Sequence, residues 1–323
     1  MHPPVLAIIM PCYNEQEALP ISARHILSLL DSMVADGLVD AKSYALCVND
    51  GSRDSTWEVI SDLHKKHPQI KGINLAHNRG HQNALLAGLM TAMDNCDAAV
   101  SIDADLQDDP SAIISMVKDF NDGKEIVFGV RSSRDTDTWF KRTSARMFYR
   151  FQKSMGLETV FDHADFRLMS NRALHLLSEY GESNLFLRGI IPAIGLDTSV
   201  VRYPRACRVA GETKYPLSKM LSLSIDGITS FSAKPMRIIF ITGLLLLLLD
   251  IAVAIYVLIA YFCHSAISGW SSIMLSIWFL GSLILMSIGI VGEYIGKIFV
   301  EVKHRPRYAI KETLIDGTDS TKA

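Results

Sequence analysis

The sequence predicts an α/β protein in two parts, a domain built on a mostly parallel sheet and a helical hairpin that crosses a membrane. Strand-like and helix-like segments alternate through the first 130 residues, which is typical of a parallel sheet with helices on both faces. Two long, almost uncharged runs follow in the last third of the 323-residue chain. These two observations define the predicted fold class.

The alternation can be followed from the amino terminus. Short apolar runs predict strands at 5–12, 43–48, 70–75, 98–102 and 126–130. Apolar residues at helical spacing predict helices at 56–64, 81–93 and 111–120, and a further helix around residues 26–30. Each predicted helix joins two predicted strands, as parallel pairing requires.

The apolar excess lies in two segments. Residues 238–262 contain one charge, Asp250, and residues 271–292 contain none. Each run exceeds the ~20 residues that cross a hydrocarbon core of about 30 Å, so both are predicted to span a membrane. Lysine and arginine flank the pair but are absent from the loop between the spans, so the positive-inside rule predicts that both termini are cytoplasmic.

The spans divide the chain into predicted regions. These are a cytosolic domain at 1–214, a juxtamembrane amphipathic helix at 215–236, the two spans within 237–300 and a cytosolic tail at 301–323.

Charge, cysteine content and missing motifs narrow the function. The net charge of −2 gives no electrostatic argument for nucleic acid. The five cysteines form no CxxC pair, which argues against a zinc site or a disulfide framework. Neither a P-loop nor a dinucleotide-binding glycine motif is present, so bound phosphates would have to be held by a metal and side chains.

Polar side chains cluster where the predicted strands end. In an α/β sheet these carboxyl ends form the edge at which ligands bind. The residues there are Tyr13, Asn14, Glu15, Asp50, Ser52, Asn78, Arg79, Asp103, Asp105 and Arg131. Ordinary polar loop caps explain single members of this set but not carboxylates at three strand ends.

An acidic motif follows the fourth predicted strand. Strand periodicity predicts that Asp103, Asp105 and Gln107 lie on one side of the chain. Oxygen ligands suit a hard cation such as Mg²⁺ or Mn²⁺, which commonly bridges carboxylates and substrate phosphates. The motif therefore predicts a metal site at the sheet edge.

Several motifs resemble the family-2 glycosyltransferases, whose GT-A fold is a Rossmann-like, mostly parallel sheet. They are PCYNE at 11–15, NDGSRDST at 49–56, NRGH at 78–81 and DADLQ at 103–107. Segments at 165–170, 208–215, 228–232, 292–296 and 305–308 resemble, more narrowly, the bacterial polyprenyl-phosphate glycosyltransferases, relatives of dolichol-phosphate mannose synthase.

The resemblance implies an enzyme of the bacterial cytoplasmic membrane. It would move a sugar, glucose or N-acetylglucosamine, from a nucleotide-diphosphate sugar such as a UDP-sugar to undecaprenyl phosphate. Mg²⁺ or Mn²⁺ would be the cofactor, and the chain would form a homo-oligomer, a tetramer in this family.

The resemblance also implies residue roles. The nucleotide sugar would be held by Pro11, Tyr13, Glu15, Val48, Asp50, Asp103 and Ala104, and the metal by Asp103, Asp105 and Gln107. Arg131, Arg208 and Lys214 would contact the phosphates of donor or acceptor. Asp165 is the candidate base, and its alternative role is to orient Arg167 or Lys214.

The chemistry of the acceptor bears on the role of Asp165. A phosphate monoester has a second pKa of about 6, so the lipid phosphate is already mostly a dianion at cytosolic pH. Such a nucleophile needs positioning and charge neutralisation more than a base. Direct attack on the anomeric carbon would invert its configuration.

Residues 131–153 predict a helix at the membrane surface. Arg142, Arg146 and Arg150 form a basic stripe beside an aromatic one, which is the pattern of interfacial helices that meet anionic headgroups. The alternative is an amphipathic helix packed on its own domain.

Two other functions fit parts of the sequence. A processive polysaccharide synthase would share the catalytic fold, but its Gln-x-x-Arg-Trp motif and additional spans do not occur here. The other is a catalytically inactive, membrane-anchored nucleotide-binding scaffold. Loss of Asp103, Asp105, Gln107, Arg208 or Lys214 would favour this scaffold, and all five residues are present.

Overall fold

The computed structural model describes residues 2–131, 163–182, 187–204 and 269–315, together with isolated positions between 239 and 248. They fall into two compact units. The first unit contains the described residues up to 204 and those from 305 onwards, and the second contains residues 269–304 with the isolated positions. The first unit is therefore discontinuous in sequence.

The described part of the first unit contains an eight-stranded sheet with helices between its strands. The strands are β1 (Leu6–Cys12), β2 (Tyr44–Asn49), β3 (Ile70–Leu75), β4 (Ala98–Ser101), β5 (Ile126–Arg131), β6 (His163–Ser170), β7 (Thr198–Tyr203) and β8 (Ile310–Leu314). The helices are α1 (Leu19–Ala35), α2 (Thr56–Lys66), α3 (His81–Ala92), α4 (Ala112–Asn121), α5 (Asn171–Ser178) and α6 (Leu187–Ala193).

The strand order is β7-β5-β6-β4-β1-β2-β3-β8. β1 pairs in parallel with β2 and β4, β2 with β3, and β5 with β7. β6 runs antiparallel to both β4 and β5, and β8 runs antiparallel to β3. The predicted mostly parallel sheet is confirmed, with the antiparallel strand β6 inserted in it and the antiparallel strand β8 at its edge.

The central strands are buried on both faces. Every residue of β1, β2 and β4 is buried, as expected for parallel strands that helices cover on both sides. Helix α1 packs Ile26, Leu30 and Met33 into this core. Helix α3 approaches β1 so closely that a Cβ added at Gly88 would overlap the side chain of Ile9. This packing fixes the strand ends from which the site is built.

Strand β8 belongs to the predicted carboxyl-terminal tail but completes the sheet. It pairs with β3, and the Trp57 indole Nε1 on α2 donates a hydrogen bond to Glu312 of β8 at 2.9 Å. The Asn74 amide of β3 also donates to Glu312, at 3.4 Å. The tail is thus part of the folded domain.

The described part of the second unit is helix α7 (Trp270–Val302), which has 33 residues. Among the described residues, its segment Phe279–Val302 is the one stretch long and apolar enough to cross a membrane, judged by length and composition. It overlaps the predicted second span at 271–292 and continues beyond it. The predicted first span at 238–262, apart from the isolated positions, and the juxtamembrane helix at 215–236 lie outside the described residues.

Candidate active site at the carboxyl edge of the sheet

The loops after β1 and β2 are joined by hydrogen bonds. Asn14 has a left-handed backbone with φ 57°; its amide donates to Ser52 Oγ at 3.0 Å, and its Oδ1 accepts from the Arg53 amide at 2.9 Å. The Glu15 amide donates to Thr56 Oγ1 at 2.9 Å. These contacts fix the backbone of the segment that carries Tyr13, whose side chain is exposed at this edge.

Two further residues that the family resemblance assigns to the nucleotide sugar lie in paired strands. Pro11 of β1 is aligned with Val48 of β2 in the parallel register, and both residues are buried. The parallel register therefore places both residues beneath the edge on which Tyr13 lies.

Asp50 holds the loop that leads into α3. Its buried carboxylate accepts hydrogen bonds from the backbone amides of Arg79 at 2.7 Å and Gly80 at 2.9 Å. Burial raises the pKa of Asp50, and these two amides only partly offset that effect. Gly51, with φ 60°, lets the two loops meet, because an added Cβ there would lie 2.5 Å from the Asn78 nitrogen. Asp50 thereby helps to place the start of α3.

The acidic motif lies in a turn. Strand β4 ends at Ser101, and Leu106 has a left-handed backbone with φ 46°. The prediction that strand periodicity aligns the motif was wrong, because β4 ends at Ser101 and the chain turns at residues 104–105, within the motif. Asp105 and Gln107 nevertheless meet, since Gln107 Nε2 donates to Asp105 Oδ2 at 2.5 Å. The turn is tied to α1 by Ser22 Oγ, which donates to the carbonyl of buried Ala104 at 2.5 Å.

Asp103 lies among other charged groups. Its Oδ1 is 3.6 Å from His81 Nε2 at the start of α3. Burial and the carboxylates of Asp165, Asp108 and Asp105 raise the pKa of Asp103, whereas His81 lowers it. A bound cation would relieve this repulsion between carboxylates.

The donor set at this turn fits a hard divalent cation. Asp103, Asp105 and Gln107 supply oxygen ligands, and Mg²⁺ commonly takes one or two carboxylates and completes its shell with substrate phosphate and water. Within the described ranges, no group of three histidine, cysteine, aspartate or glutamate side chains is arranged to hold a metal.

Asp165 on β6 is held by two arginines. Arg167 contacts it at 2.5 Å, and Arg188 contacts it with both Nε at 3.2 Å and a terminal nitrogen at 3.1 Å. His81 Nε2 is 3.7 Å from the same carboxylate. Burial raises the pKa of Asp165, but the two guanidinium groups together hold it well below its usual range. Asp165 is therefore ionised at neutral pH and is a weak proton acceptor.

Arg131 at the end of β5 forms a second ion pair. Its guanidinium donates to Asp108 with Nε at 2.8 Å and a terminal nitrogen at 3.1 Å, and the Tyr203 hydroxyl donates to Asp108 at 2.8 Å. Burial lowers the pKa of Arg131, but Asp108 raises it by a larger amount, so the pKa is raised overall and the guanidinium stays charged. Asp108 itself is buried, so this pair fixes the guanidinium at the edge of the site.

The described residues bring together only part of the predicted site. Arg208, Lys214, Arg142, Arg146 and Arg150 lie outside the described residues. Sequence reasoning did not assign site roles to Arg188, His81 and Asp108. Asp108 directly follows the acidic motif, and His81 is the last residue of the NRGH motif. The sequence therefore contained a local signal for both residues. Arg188 gave none, because its position depends on where β6 inserts.

The sheet is mixed but mostly parallel and carries an acidic turn after β4, which agrees with a GT-A-like fold, and the family match shows that the chain is a glycosyltransferase. Residues 7–177 match the sequence model of Glycosyl transferase family 2, and residues 234–298 match that of the GtrB C-terminal hairpin. The chain belongs to glycosyl transferase family 2.

Similar proteins match over nearly the whole chain. The chain is 48% identical over 307 residues to the uncharacterized glycosyltransferase YkoT of Bacillus subtilis, a match that covers 95% of this chain and 91% of YkoT. It is 34% identical over 310 residues to the SfII prophage-derived bactoprenol glucosyl transferase of Shigella flexneri, which covers 95% and 98% of the two chains. Among solved structures, mannosyl-3-phosphoglycerate synthase from Rubrobacter xylanophilus matches with 13% identity and a TM-score of 0.48, over 70% of this chain and 73% of that chain.

Proposed function

We propose that this glycosyltransferase moves glucose or N-acetylglucosamine from a UDP-sugar to undecaprenyl phosphate in the bacterial cytoplasmic membrane. The observation that carries the proposal is the similarity to a bactoprenol glucosyl transferase over 95% of this chain. The similarity includes the carboxyl-terminal hairpin as well as the sugar-transferring domain. A lipid acceptor gives such an enzyme a reason to carry a membrane anchor.

Helix α7 supports the membrane part of the proposal. Its described apolar side chains are largely exposed, Met286 by 67% and Phe299 by 59%. Exposure of such side chains to water is unfavourable, whereas lipid can surround them without that free-energy cost. We propose two spans, at 238–262 and within α7, with both termini cytoplasmic, and a homo-oligomer as the family resemblance implies.

The acidic turn supports metal dependence. Asp103, Asp105 and Gln107 would hold Mg²⁺ or Mn²⁺, which would neutralise charge on the departing nucleoside diphosphate. The nucleoside and sugar would lie against Tyr13, Glu15 and the β1 and β2 loops. Asp50 would contribute by holding the loop at 79–80 in place.

The arginine pairs support attack by the acceptor phosphate as a dianion. Because Asp165 is held ionised by Arg167 and Arg188, it is poorly suited to accept a proton. The phosphate monoester needs no such base, since its second pKa is about 6. Arg131, Arg208 and Lys214 would neutralise phosphate charge, and a single direct displacement would invert the anomeric carbon.

The test is product identification. Membranes that contain the full chain and undecaprenyl phosphate are offered UDP-glucose, UDP-N-acetylglucosamine and other nucleotide sugars, and the lipid product is identified by mass spectrometry. We expect one sugar per lipid phosphate, formed with the wild type and not with Asp105→Asn. A polymer of many sugars would instead support the processive synthase, and no transfer from any donor would support the inactive scaffold.

A further inference from the structure

A polar cleft of about 580 Å³ lies at the carboxyl edge of the sheet, next to the loop that carries Tyr13. Its volume is within the range of small-molecule sites. The loops after β2 and β3 line it, with Arg53 and Asn78 among their residues, and strand β8 lines it through Lys311. The segment that follows helix α7 in the chain therefore contributes a charged side chain to this edge.

Hydrogen bonds and an ion pair fix the walls of the cleft. Asn49 Nδ2 at the end of β2 donates to Asn74 Oδ1 of β3 at 2.8 Å, and Ser52 Oγ donates to Asn49 Oδ1 at 2.5 Å. Lys311 Nζ lies 3.1 Å from Glu312 Oε1, and the Lys311 side chain is 62% exposed. An ammonium group has three N–H donors, so Lys311 can keep this ion pair and donate to a ligand as well.

The strand order relates the cleft to the acidic turn. β4 leads into that turn, and β1, β2, β3 and β8 follow it in order across the sheet. Adjacent strands are ~4.8 Å apart, so the end of β2 lies about 10 Å along the edge from the end of β4. The ribose and the two phosphates of a nucleoside diphosphate separate its base from its far phosphate by a similar length. With the diphosphate at the acidic turn, as proposed above, the nucleoside therefore reaches the cleft.

The side chains that line the cleft suit a nucleoside better than a second phosphate. Tyr13 is 42% exposed, and aromatic rings bind bases by stacking. Asp54 and Glu58 also line the cleft, and their carboxylates would repel an anion. The oxygens of a base and of its ribose accept hydrogen bonds, which the Lys311 ammonium can donate.

We propose that strand β8 completes the donor site. The nucleoside of the UDP-sugar occupies the cleft, and Lys311 donates a hydrogen bond to it. This inference rests on the proposed function, because it concerns the donor of that reaction. It gives the carboxyl-terminal tail a part in donor binding in addition to its place in the sheet.

The experiment separates the nucleoside from the phosphates. The full chain in vesicles with undecaprenyl phosphate is compared as wild type and Lys311→Met, with UDP, UMP and pyrophosphate as inhibitors of transfer. Lys311→Met should raise the KM for the UDP-sugar and the inhibition constants of UDP and UMP about 3- to 10-fold, the loss expected for one hydrogen bond. Inhibition by pyrophosphate, which has no nucleoside, and the KM for undecaprenyl phosphate should change less than about twofold.

A conservative variant tests the hydrogen-bond donor itself. Lys311→Arg keeps a charged N–H donor at the same position, so it should return the KM for the UDP-sugar to within about twofold of the wild type. The matched control is Lys65→Met, since Lys65 is an exposed lysine paired with Asp62 on α2 and is not among the described residues that line the cleft. This control should behave as the wild type with all three inhibitors.

Three results would overturn the inference. They are a donor KM that is unchanged in Lys311→Met, inhibition by pyrophosphate that weakens as much as inhibition by UMP, and a loss of the same size in Lys65→Met. Failure of the proposed function would look different, since the wild type itself would then transfer no sugar to undecaprenyl phosphate. Calorimetric titration of the same proteins with UDP needs no transfer and would still measure the effect of Lys311→Met on nucleotide binding.

Discussion

Asp50 and Asp165 are buried carboxylates in different halves of the sheet edge, and their pKa values are shifted in opposite directions. In the half built from β1, β2 and β3, Asp50 is held by two neutral backbone amides, and burial leaves its pKa raised. In the half built from β4, β6 and β5, Asp165 is held by two guanidinium groups that lower its pKa despite burial. Burial alone therefore does not determine the charge of a carboxylate in this site; its partners do.

Within the half built from β4, β6 and β5, two different chemistries lie side by side. Burial and, after it, the carboxylates of Asp165, Asp108 and Asp105 raise the pKa of Asp103, and a bound cation would relieve this repulsion. Asp108 and Asp165 already form ion pairs with arginines, so they are poor metal ligands and poor bases. We therefore expect a metal at the acidic turn and fixed positive charge at the arginines that pair with Asp108 and Asp165.

The largest effect on the rate of sugar transfer is expected from a substitution in the acidic turn. Asp105→Asn should lower the initial rate of transfer at least ~100-fold, because a neutral amide binds Mg²⁺ or Mn²⁺ more weakly and metal ions supply several kcal/mol to such reactions. The matched control is Asp109→Asn, whose side chain accepts a hydrogen bond only from the Ser111 amide among the contacts described. Full wild-type turnover in excess EDTA would contradict the prediction.

Breaking the ion pairs of Asp165 with Arg167 and Arg188 should cost stability. Asp165→Asn leaves the Arg167 guanidinium buried without its counter-charge, which typically costs about 3 kcal/mol at neutral pH. Because the folded-state pKa of Asp165 is lowered, its contribution is present above the ordinary pKa of about 3.9 and is lost as the pH falls through the folded value.

Thermal unfolding of the two proteins in detergent at several pH values checks this dependence. The gap in Tm between wild type and Asp165→Asn should be full at pH 7 and should narrow only in strong acid. A gap that already closes between pH 5 and 7 would mean that the carboxylate takes up its proton there.

A smaller loss of stability is expected at the second ion pair. Asp108→Asn removes the partner of Arg131, which is partly exposed, so we expect about 2 kcal/mol. Glu125→Gln, which breaks the exposed pair with Arg172, should cost less than about 1 kcal/mol. Comparison of the two Tm shifts tests whether burial of Asp108 matters, and equal shifts would count against it.

The smallest effect is expected where the tail joins the sheet. Trp57→Phe keeps an aromatic ring against β3 but removes the hydrogen bond to Glu312, at a cost of about 1 kcal/mol. Lys311→Gln, which breaks an exposed ion pair with the same glutamate, should have almost no effect. Urea unfolding of both variants provides the measurement, and a larger loss from Lys311→Gln would reverse this assignment.

The sequence predicted the parallel part of the fold because that part is locally encoded. Strand β3 has the predicted bounds, β1, β4 and β5 differ from theirs by one residue at one end, and β2 is shifted by one residue at both ends. Strand β6 was not predicted, because its insertion between β4 and β5 depends on pairing between segments far apart in sequence. The same holds for β8, which reaches β3 after a separation of more than 200 residues.

The candidate site, like the fold, was predictable from the sequence only where a local motif encodes it. Asp103, Asp105 and Gln107 were found from a local motif, although they lie in a turn and not on a strand. The contacts of Arg188 with Asp165 and of Arg131 with Asp108 could not be found in that way, since each joins residues 23 positions apart in the sequence. Local motifs therefore located the acidic turn, and only the fold showed which carboxylates pair with Arg131 and Arg188.

The central claim is that the acceptor side supplies fixed positive charge and no base. The most direct test is the pH dependence of kcat/KM for undecaprenyl phosphate between pH 5 and 8, with chemistry rate-limiting, in the wild type and in Asp165→Asn. The account predicts that both rates rise through a pH of about 6, as the phosphate monoester becomes a dianion, and then level off, the variant being slower but identical in shape. A wild-type rate that is independent of pH in this range, or an ionisation that disappears in Asp165→Asn, would contradict it.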